Sequence, residues 1–263
     1  TLQVDPDWPH PERALNAVND AHRRQFTDYI KAELGDRQDL LDKVLPDYPP
    51  FGNRMLLDNG WYRTVARDNV TLITERLVGV AGDTLTCSDG STHKADILIL
   101  ATGFKATAVL SSMQVIGRDG RSISEVWQGD DARAYLGTTV PGFPNMFTLL
   151  GPNVGLGHGG SIISNIENQM DYVMSALEQM FAHSAAVIEV RQDVHDRYNE
   201  AVDAAHAKMV WTHQGMDNWY RNSRGRVVAI TPWRNDDYWR MTRRADLKDF
   251  QLRGPGNVRT DVA

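Results

Sequence analysis

The chain has 263 residues, 41% hydrophobic and 24% charged, a balance that excludes a disordered protein and suffices for a sizeable core. Its 34 acidic side chains outnumber the 28 basic ones, and the formal charge of -6 argues against a general nucleic-acid surface. A lone cysteine, Cys87, excludes an intrachain disulfide framework and a cysteine-built zinc site, as expected in a reducing cytoplasm, and the longest apolar run, ADILILA, falls far short of the ~20 residues a membrane span needs.

The opening TLQVDPDWPHPERALN has no basic stretch followed by an apolar one, so it reads as no signal peptide but as a chain entered part-way through a longer protein. Residues 9–45 are expected to be helical. Pro9 and Pro11 suit a helix entry, and Leu15, Val18, Phe26, Tyr29, Ile30 and Leu34 are spaced for one face. Gly35 is placed to end that helix, a shorter one follows over 37–45, and PDYPPFGN stops it.

From Asn69 the pattern turns to β. NVTLIT is a strand candidate, and DTLTCSDGSTHKADILIL predicts a hairpin about Asp89 and Gly90. The run 97–100 is continuously apolar, as expected of a strand covered on both faces, and ends in ATGF. MFTLL predicts a second buried strand, ending in GPN. Beyond Ser161 a helix is expected whose stripe is Ile162, Ile163, Ile166, Met170, Val173, Leu177 and Met180, with Asn165, Glu167, Asn168 and Asp171 off it. AAVIEVR precedes another helix over 194–209, and the remainder is loop-rich, with Trp211, Trp219, Trp233 and Trp239 in this last part of the chain. The fold class is α/β, with no clean linker.

Gly155, Gly157 and Gly160 satisfy G-x-G-x-x-G between a strand candidate and a helix. A dinucleotide fingerprint also needs a tight turn and an acid on the next strand about 20 residues on. Here PNV separates Gly151 from the glycines, and Glu189 on VIEV lies well past that place. Two other readings stand beside the fingerprint. The glycines can simply turn the chain, or they can open a helix start, with Ser161 as N-cap, toward an electron-rich ligand such as the pyrimidine edge of a flavin.

Four segments in order carry a resemblance: LPDYPPFGNRMLLDNGWYRTVARDNVTLI, ADILILATGF, ARAYLGTTVPGFPNMFTLLGPNVGLGHGGS and NWYRNSRGRVVAITPWRNDDYW. Together they resemble the C-terminal half of class B flavoprotein monooxygenases of the Baeyer–Villiger type. DPDWPHPER and GDRQDLLDKVLPDYPPFG add a likeness to the hydroxyacetophenone monooxygenase subgroup. The resemblance implies partial FAD- and NADP-binding Rossmann-like domains with helical segments: residues 1–103 close the NADP domain and 104–263 close the FAD domain. It places the true glycine fingerprints and the family's His/Trp motif upstream of this chain, and makes GPNVGLGHGGS a flavin-facing helix entry. The implied activity is that of an oxidoreductase that uses FAD, NADPH and O₂ to insert oxygen beside a ketone carbonyl, giving an ester, with an aryl ketone as substrate. A heteroatom-oxidising flavin monooxygenase is the rival. A non-catalytic module is another, and the isolated chain is expected to be inactive without its N-terminal half. No nucleic-acid or membrane partner is expected.

Arg54, read bare, is a surface arginine after a proline turn. By resemblance it is the active-site arginine, whose permanent charge stabilises an anionic oxygen donor and holds the nicotinamide. Asn53 stands where relatives often carry lysine; it offers hydrogen bonds but no charge to a 2′-phosphate, so a preference for NADPH is less secure than flavin binding. Cofactor contacts are further expected at Thr102, Gly103 and Phe104, at Gly151, Pro152 and Asn153, at Gly159, Gly160 and Ser161, and at Trp219. His158 reads as a loop contact without an evident partner. His206 and His213 lie seven apart with no H-E-x-x-H, so no metal site is expected.

Overall fold

In the computed structural model, which describes residues 2–255, the first helix starts at Asn16 and not at the prolines ahead of it. The Asn16 side-chain oxygen accepts from the Asn19 amide at 2.9 Å and caps α1 (Ala17–Leu34). Residues 9–13, expected as helix, instead form turns. The chain divides into two units, one of residues 20–47 and 56–104, the other of residues 2–19, 48–55 and 105–255.

In the first of these units, Ile30 and Leu34 of α1 pack with Leu40 and Val65 into a small core. Gly35, at φ 56, releases the chain from α1, and a tight turn at Gln38–Leu40 feeds α2 (Leu41–Val44). Gly60, in the left-handed conformation, is the N-cap of α3 (Trp61–Val65), the Asp58 carboxylate ahead of it accepts from the Trp61 amide, and Arg63 pairs with Glu33 at 2.8 Å. Three antiparallel strands follow in the order β1 (Leu77–Ala81), β2 (Thr84–Cys87), β3 (Thr92–Lys94). The hairpin predicted about Asp89 and Gly90 joins β2 to β3, with Leu85 opposite His93. Asp89 accepts from the Ser91 amide, and Gly90 takes the left-handed conformation the turn demands.

Two strand expectations fail in this unit. NVTLIT makes no ladder, and β1 begins further on at Leu77. The aliphatic run 97–100 also makes none. Ile97, Leu98, Ile99 and Leu100 are 80%, 43%, 82% and 72% exposed, because no neighbouring strand lies beside them among the described residues.

In the other unit, a capping box of Ser122 and Glu125 starts the short α4 (Ile123–Val126). Ile123 and Trp127 there pack with Ala132, Ala134, Val140 and Phe143. MFTLL, the second expected strand, is likewise unpaired, and Leu149 and Leu150 are partly exposed. α5 (Ile162–Ala182) is the longest helix, followed by β4 (Val187–Val190), α6 (Gln192–His206), α7 (Asn235–Thr242) and β5 (Phe250–Arg253). β4 pairs antiparallel with β5, Ile188 facing Leu252. The main core joins Tyr172, Ala176 and Met180 of α5 to Ile188, Val190, Val194 and Phe250.

The face that α5 buries is not the stripe its sequence suggests. Asn165, Gln169, Tyr172, Val173, Ala176 and Met180 are buried, whereas Ile163, Met170 and Met174 are exposed. Polar side chains win the inner positions because they satisfy loop backbone there. Asn165 donates to the Val154 carbonyl at 3.0 Å. Gln169 donates to the Gly137 carbonyl at 3.1 Å and accepts from the Leu150 amide at 2.7 Å. No described helix is long and apolar enough to cross a membrane.

Candidate functional site

The loop after the unpaired MFTLL run is fixed before it reaches any ligand. Asn153 sits at φ 58 and is buried. Its amide nitrogen donates to the carbonyls of Val227 at 2.8 Å and Ile230 at 3.1 Å, and its oxygen accepts from Arg226 at 3.3 Å. Gly155 exchanges backbone bonds with Ala229 and Thr231 at 3.0 and 2.7 Å. A side chain there would strike the Ala229 carbonyl, and one at Gly157 would strike Trp211. These two glycines exist for close packing of loop on loop. Gly159 and Gly160, both at positive φ, then lead to Ser161, which stands at the N-cap of α5 without a side-chain bond to the helix amides.

The dinucleotide-turn reading of this loop is overturned. The strand before it is unpaired, and β4 runs antiparallel to β5 instead of parallel to a preceding strand. Glu189, the acid that reading would need, is buried. It accepts from the Gly142 amide at 2.8 Å, from Arg253 at 2.8 Å and from Arg118 at 3.4 Å. Burial would raise its pKa, but the Gly142 amide and the two guanidinium groups hold it below the usual carboxylate range. Glu189 is a structural anion.

Between the glycine loop and the 228–230 segment lies a cavity of about 230 Å³. Leu156, Ile162, Val228 and Ile230 give it apolar walls, Gly151 and Gly155 contribute backbone, and Arg54 and Trp219 stand on it as well. Arg54 donates to the Leu156 carbonyl at 2.7 Å and has no carboxylate partner among the described residues. A guanidinium without a counter-charge on an apolar wall is a seat for an anion or an electron-rich ring edge. The Tyr220 ring lies tilted against Trp219 with centroids 4.5 Å apart, and its buried hydroxyl has no hydrogen-bond partner among the described residues. Burial pushes that hydroxyl's pKa up, and the charge of Arg54 pulls against the shift.

The structure thus brings Arg54, Gly151 and Trp219 to one cavity beside the start of α5. Asn53 lies next to Arg54 in the chain and donates to the Asp217 carbonyl at 3.4 Å. Pro152 and Asn153 are buried, with the Asn153 side chain spent on backbone. His158 is not partnerless: its ring lies 4.4 Å from that of Phe51. Thr102, Gly103 and Phe104 belong to the other unit and are exposed, Phe104 at 99%. Sequence reasoning missed Arg226 and Gln169, and weighed His206 only as a metal ligand. Arg226 is a buried cation bonded to Asp203 at 2.8 Å and to the Ala132 carbonyl at 3.0 Å. His206 accepts from the Trp211 indole at 2.8 Å, and burial, aided by Arg226, lowers its pKa to about 3. No cluster of three metal-ligating side chains occurs among the described residues.

No protein-family model matches the chain. An uncharacterized monooxygenase of Sinorhizobium fredii is 50% identical over 250 residues, 95% of this chain and 38% of that protein. A Baeyer–Villiger monooxygenase of Streptomyces coelicolor is 33% identical over 97% of this chain and 48% of its own length. The solved complex of OTEMO with FAD and NADP superposes with a TM-score of 0.79 at 23% identity, covering 90% of this chain and 45% of that one. The chain therefore spans half or less of the length of the relatives it matches. It is homologous over almost its whole length to monooxygenases that include Baeyer–Villiger enzymes, and its mixed helix–strand fold is that of their C-terminal portion.

Proposed function

We propose that this chain forms part of an FAD- and NADPH-dependent Baeyer–Villiger monooxygenase that converts a ketone, an aryl ketone by its likeness to the hydroxyacetophenone subgroup, into an ester. The observation that carries the reading is the guanidinium of Arg54, without a carboxylate partner among the described residues, on the apolar cavity beside the start of α5. These residues fit a flavin ring. Apolar walls suit its faces, while the glycine-loop and helix-start amides, with Gly159 open to solvent space, suit its electron-rich edge. FAD, when bound, supplies the redox chemistry that draws on NADPH and activates O₂.

The chain's own residues orient and charge the site. Arg54 stabilises negative charge developing at the reacting oxygen and hydrogen-bonds the nicotinamide carboxamide. Trp219, half exposed and tilted against Tyr220, covers the cavity. Asn53, Thr102, Gly103 and Phe104 are proposed to meet the cofactors from their loops, and Asn53 contributes hydrogen bonds without charge to the NADPH phosphate.

In the assembled enzyme, Arg54→Leu is expected to retain FAD absorbance while ester formation from an aryl ketone falls about 10²–10³-fold. Undiminished ester formation overturns the role of Arg54. Sulfide oxidation without any ester from ketones moves the activity to the heteroatom-oxidising class.

A further inference from the structure

His195, in the first turn of α6, is 7% exposed, and its Nε2 is buried with no hydrogen-bond partner among the described residues. An orphaned atom of this kind in a protein interior calls for a ligand or an ordered water. The other ring nitrogen is held: Nδ1 lies 2.8 Å from the Asp196 carboxylate. Burial works to raise the Asp196 carboxyl, but hydrogen bonds from His195 and Gln192 keep it below the usual carboxylate range. An ionised Asp196 takes the Nδ1 proton, so the neutral ring carries its lone pair at Nε2.

His195 stands in the wall of a cavity of about 170 Å³ that shares no lining residue with the cavity of Arg54. Val126, Trp127, Val140 and Pro141 give this second cavity an apolar side. Its charged groups are paired. Asp131 accepts from Arg133 at 3.2 Å and from Arg226 at 3.5 Å. Asp203 accepts from the same two guanidinium groups at 3.1 and 2.8 Å, so two negative charges face two positive ones. The Trp127 indole is spent on the Arg133 carbonyl at 2.9 Å, and Gln192 braces Asp196 at 2.8 Å. What is left is one buried acceptor beside an apolar wall.

We infer that this cavity binds a small neutral ring bearing a hydroxyl, phenol being the simplest, whose O–H donates to His195 Nε2 while its ring lies on the apolar side. The size agrees, since an apolar cavity of about 150 Å³ takes a benzene-sized guest. Water alone fits less well: a buried water needs about two to four polar partners, and this wall offers one that is buried and uncommitted. An anion would meet a lone pair close to Asp131. A metal ion would find no cluster of three ligating side chains among the described residues. The inference rests on this cavity and not on the monooxygenase reading.

The test titrates the full chain with phenol and with anisole, the same ring with its donor methylated. Phenol is expected to bind in the millimolar range or tighter, and about tenfold more tightly than anisole. His195→Phe keeps a ring in place and removes the acceptor, so the preference should shrink to within about twofold. Should that variant lose its fold by circular dichroism, wild-type crystals soaked in phenol decide instead. The phenol oxygen is expected there within hydrogen-bond distance of His195 Nε2. Equal affinity for phenol and anisole, a preference that survives His195→Phe, or no saturable binding up to about 10 mM phenol overturns the inference. So does a soaked crystal with only water at Nε2, or with phenol only in the cavity of Arg54. No flavin, NADPH or ketone enters the titration, so its failure spares the proposed activity, and a failure to form ester spares this site.

Discussion

Asn153 and Arg226 show how single side chains hold the cavity wall from behind. Arg226 is 10% exposed and reaches Asp203, Ala132, Asn153 and Asn199. Burial depresses its pKa, and the charges of Asp203 and Asp131 resist that shift. Asn153 links this cation to the carbonyl of Ile230, which lines the cavity. Asn153→Ala leaves two carbonyls and one guanidinium nitrogen without that partner and puts alanine at positive φ, so a loss of about 2–4 kcal/mol is expected, read as a lower urea midpoint. His206 adds a pH term. Folded, its ring stays neutral down to about pH 3, whereas unfolded it titrates near the ordinary histidine value of 6.5. Between these values the unfolded chain binds more protons. The contribution is therefore full above the unfolded value and is lost as pH falls toward the folded one, by about 1.4 kcal/mol per unit at most. Urea midpoints at pH 7 and pH 5 should show the drop, and His206→Gln should flatten it.

At the scale of elements, α5 ties its unit together through polar rather than apolar contacts along its N-terminal half. Gln169 bonds to Gly137, Thr138, Thr148 and Leu150 on loops that precede the helix. Gln169→Leu keeps the volume and removes every bond, so a loss of about 2–4 kcal/mol is expected in chemical denaturation. Met170→Lys, one residue on but exposed, should stay within about 0.5 kcal/mol of wild type. The contrast inverts the hydrophobic periodicity. Existence and length of the helix were legible in the spacing of its aliphatics, and so was the hairpin at Asp89 and Gly90, because both depend on neighbours in sequence. The buried face was not legible, because it is decided by loop carbonyls 11–32 residues away.

For the whole molecule, the same division explains what the site yielded to reading and what it withheld. Arg54 and Trp219 stood out only through the resemblance of their segments to the monooxygenases, since read bare they are a surface charge and a loop plug, and the fold places both on one cavity. The long-range partners of Asn153, from 53 to 77 residues away, leave no local signature. The runs 97–100 and 146–150 carry strand-like composition without ladders, since pairing belongs to neighbours and not to the run itself. One cavity of about 230 Å³ is also smaller than the roughly 300–1,000 Å³ typical of a small-molecule site. The isolated chain is accordingly expected to remain colourless after incubation with FAD and gel filtration, and to regain flavin absorbance only when the polypeptide completing the cleft is added.

The indole of Trp211 closes the floor under Gly157 and leans on His206, whose other ring nitrogen holds the Ile230 carbonyl of the cavity wall. Acid should therefore loosen that floor from within, because the second proton lands on the ring nitrogen that accepts from Trp211, and the indole loses its partner while the Ile230 bond is kept. A short acid rinse followed by neutralisation is then a practical route for swapping a bound prosthetic group for a synthetic analogue. The emission of Trp211, shifting red as its niche opens, would time the exchange.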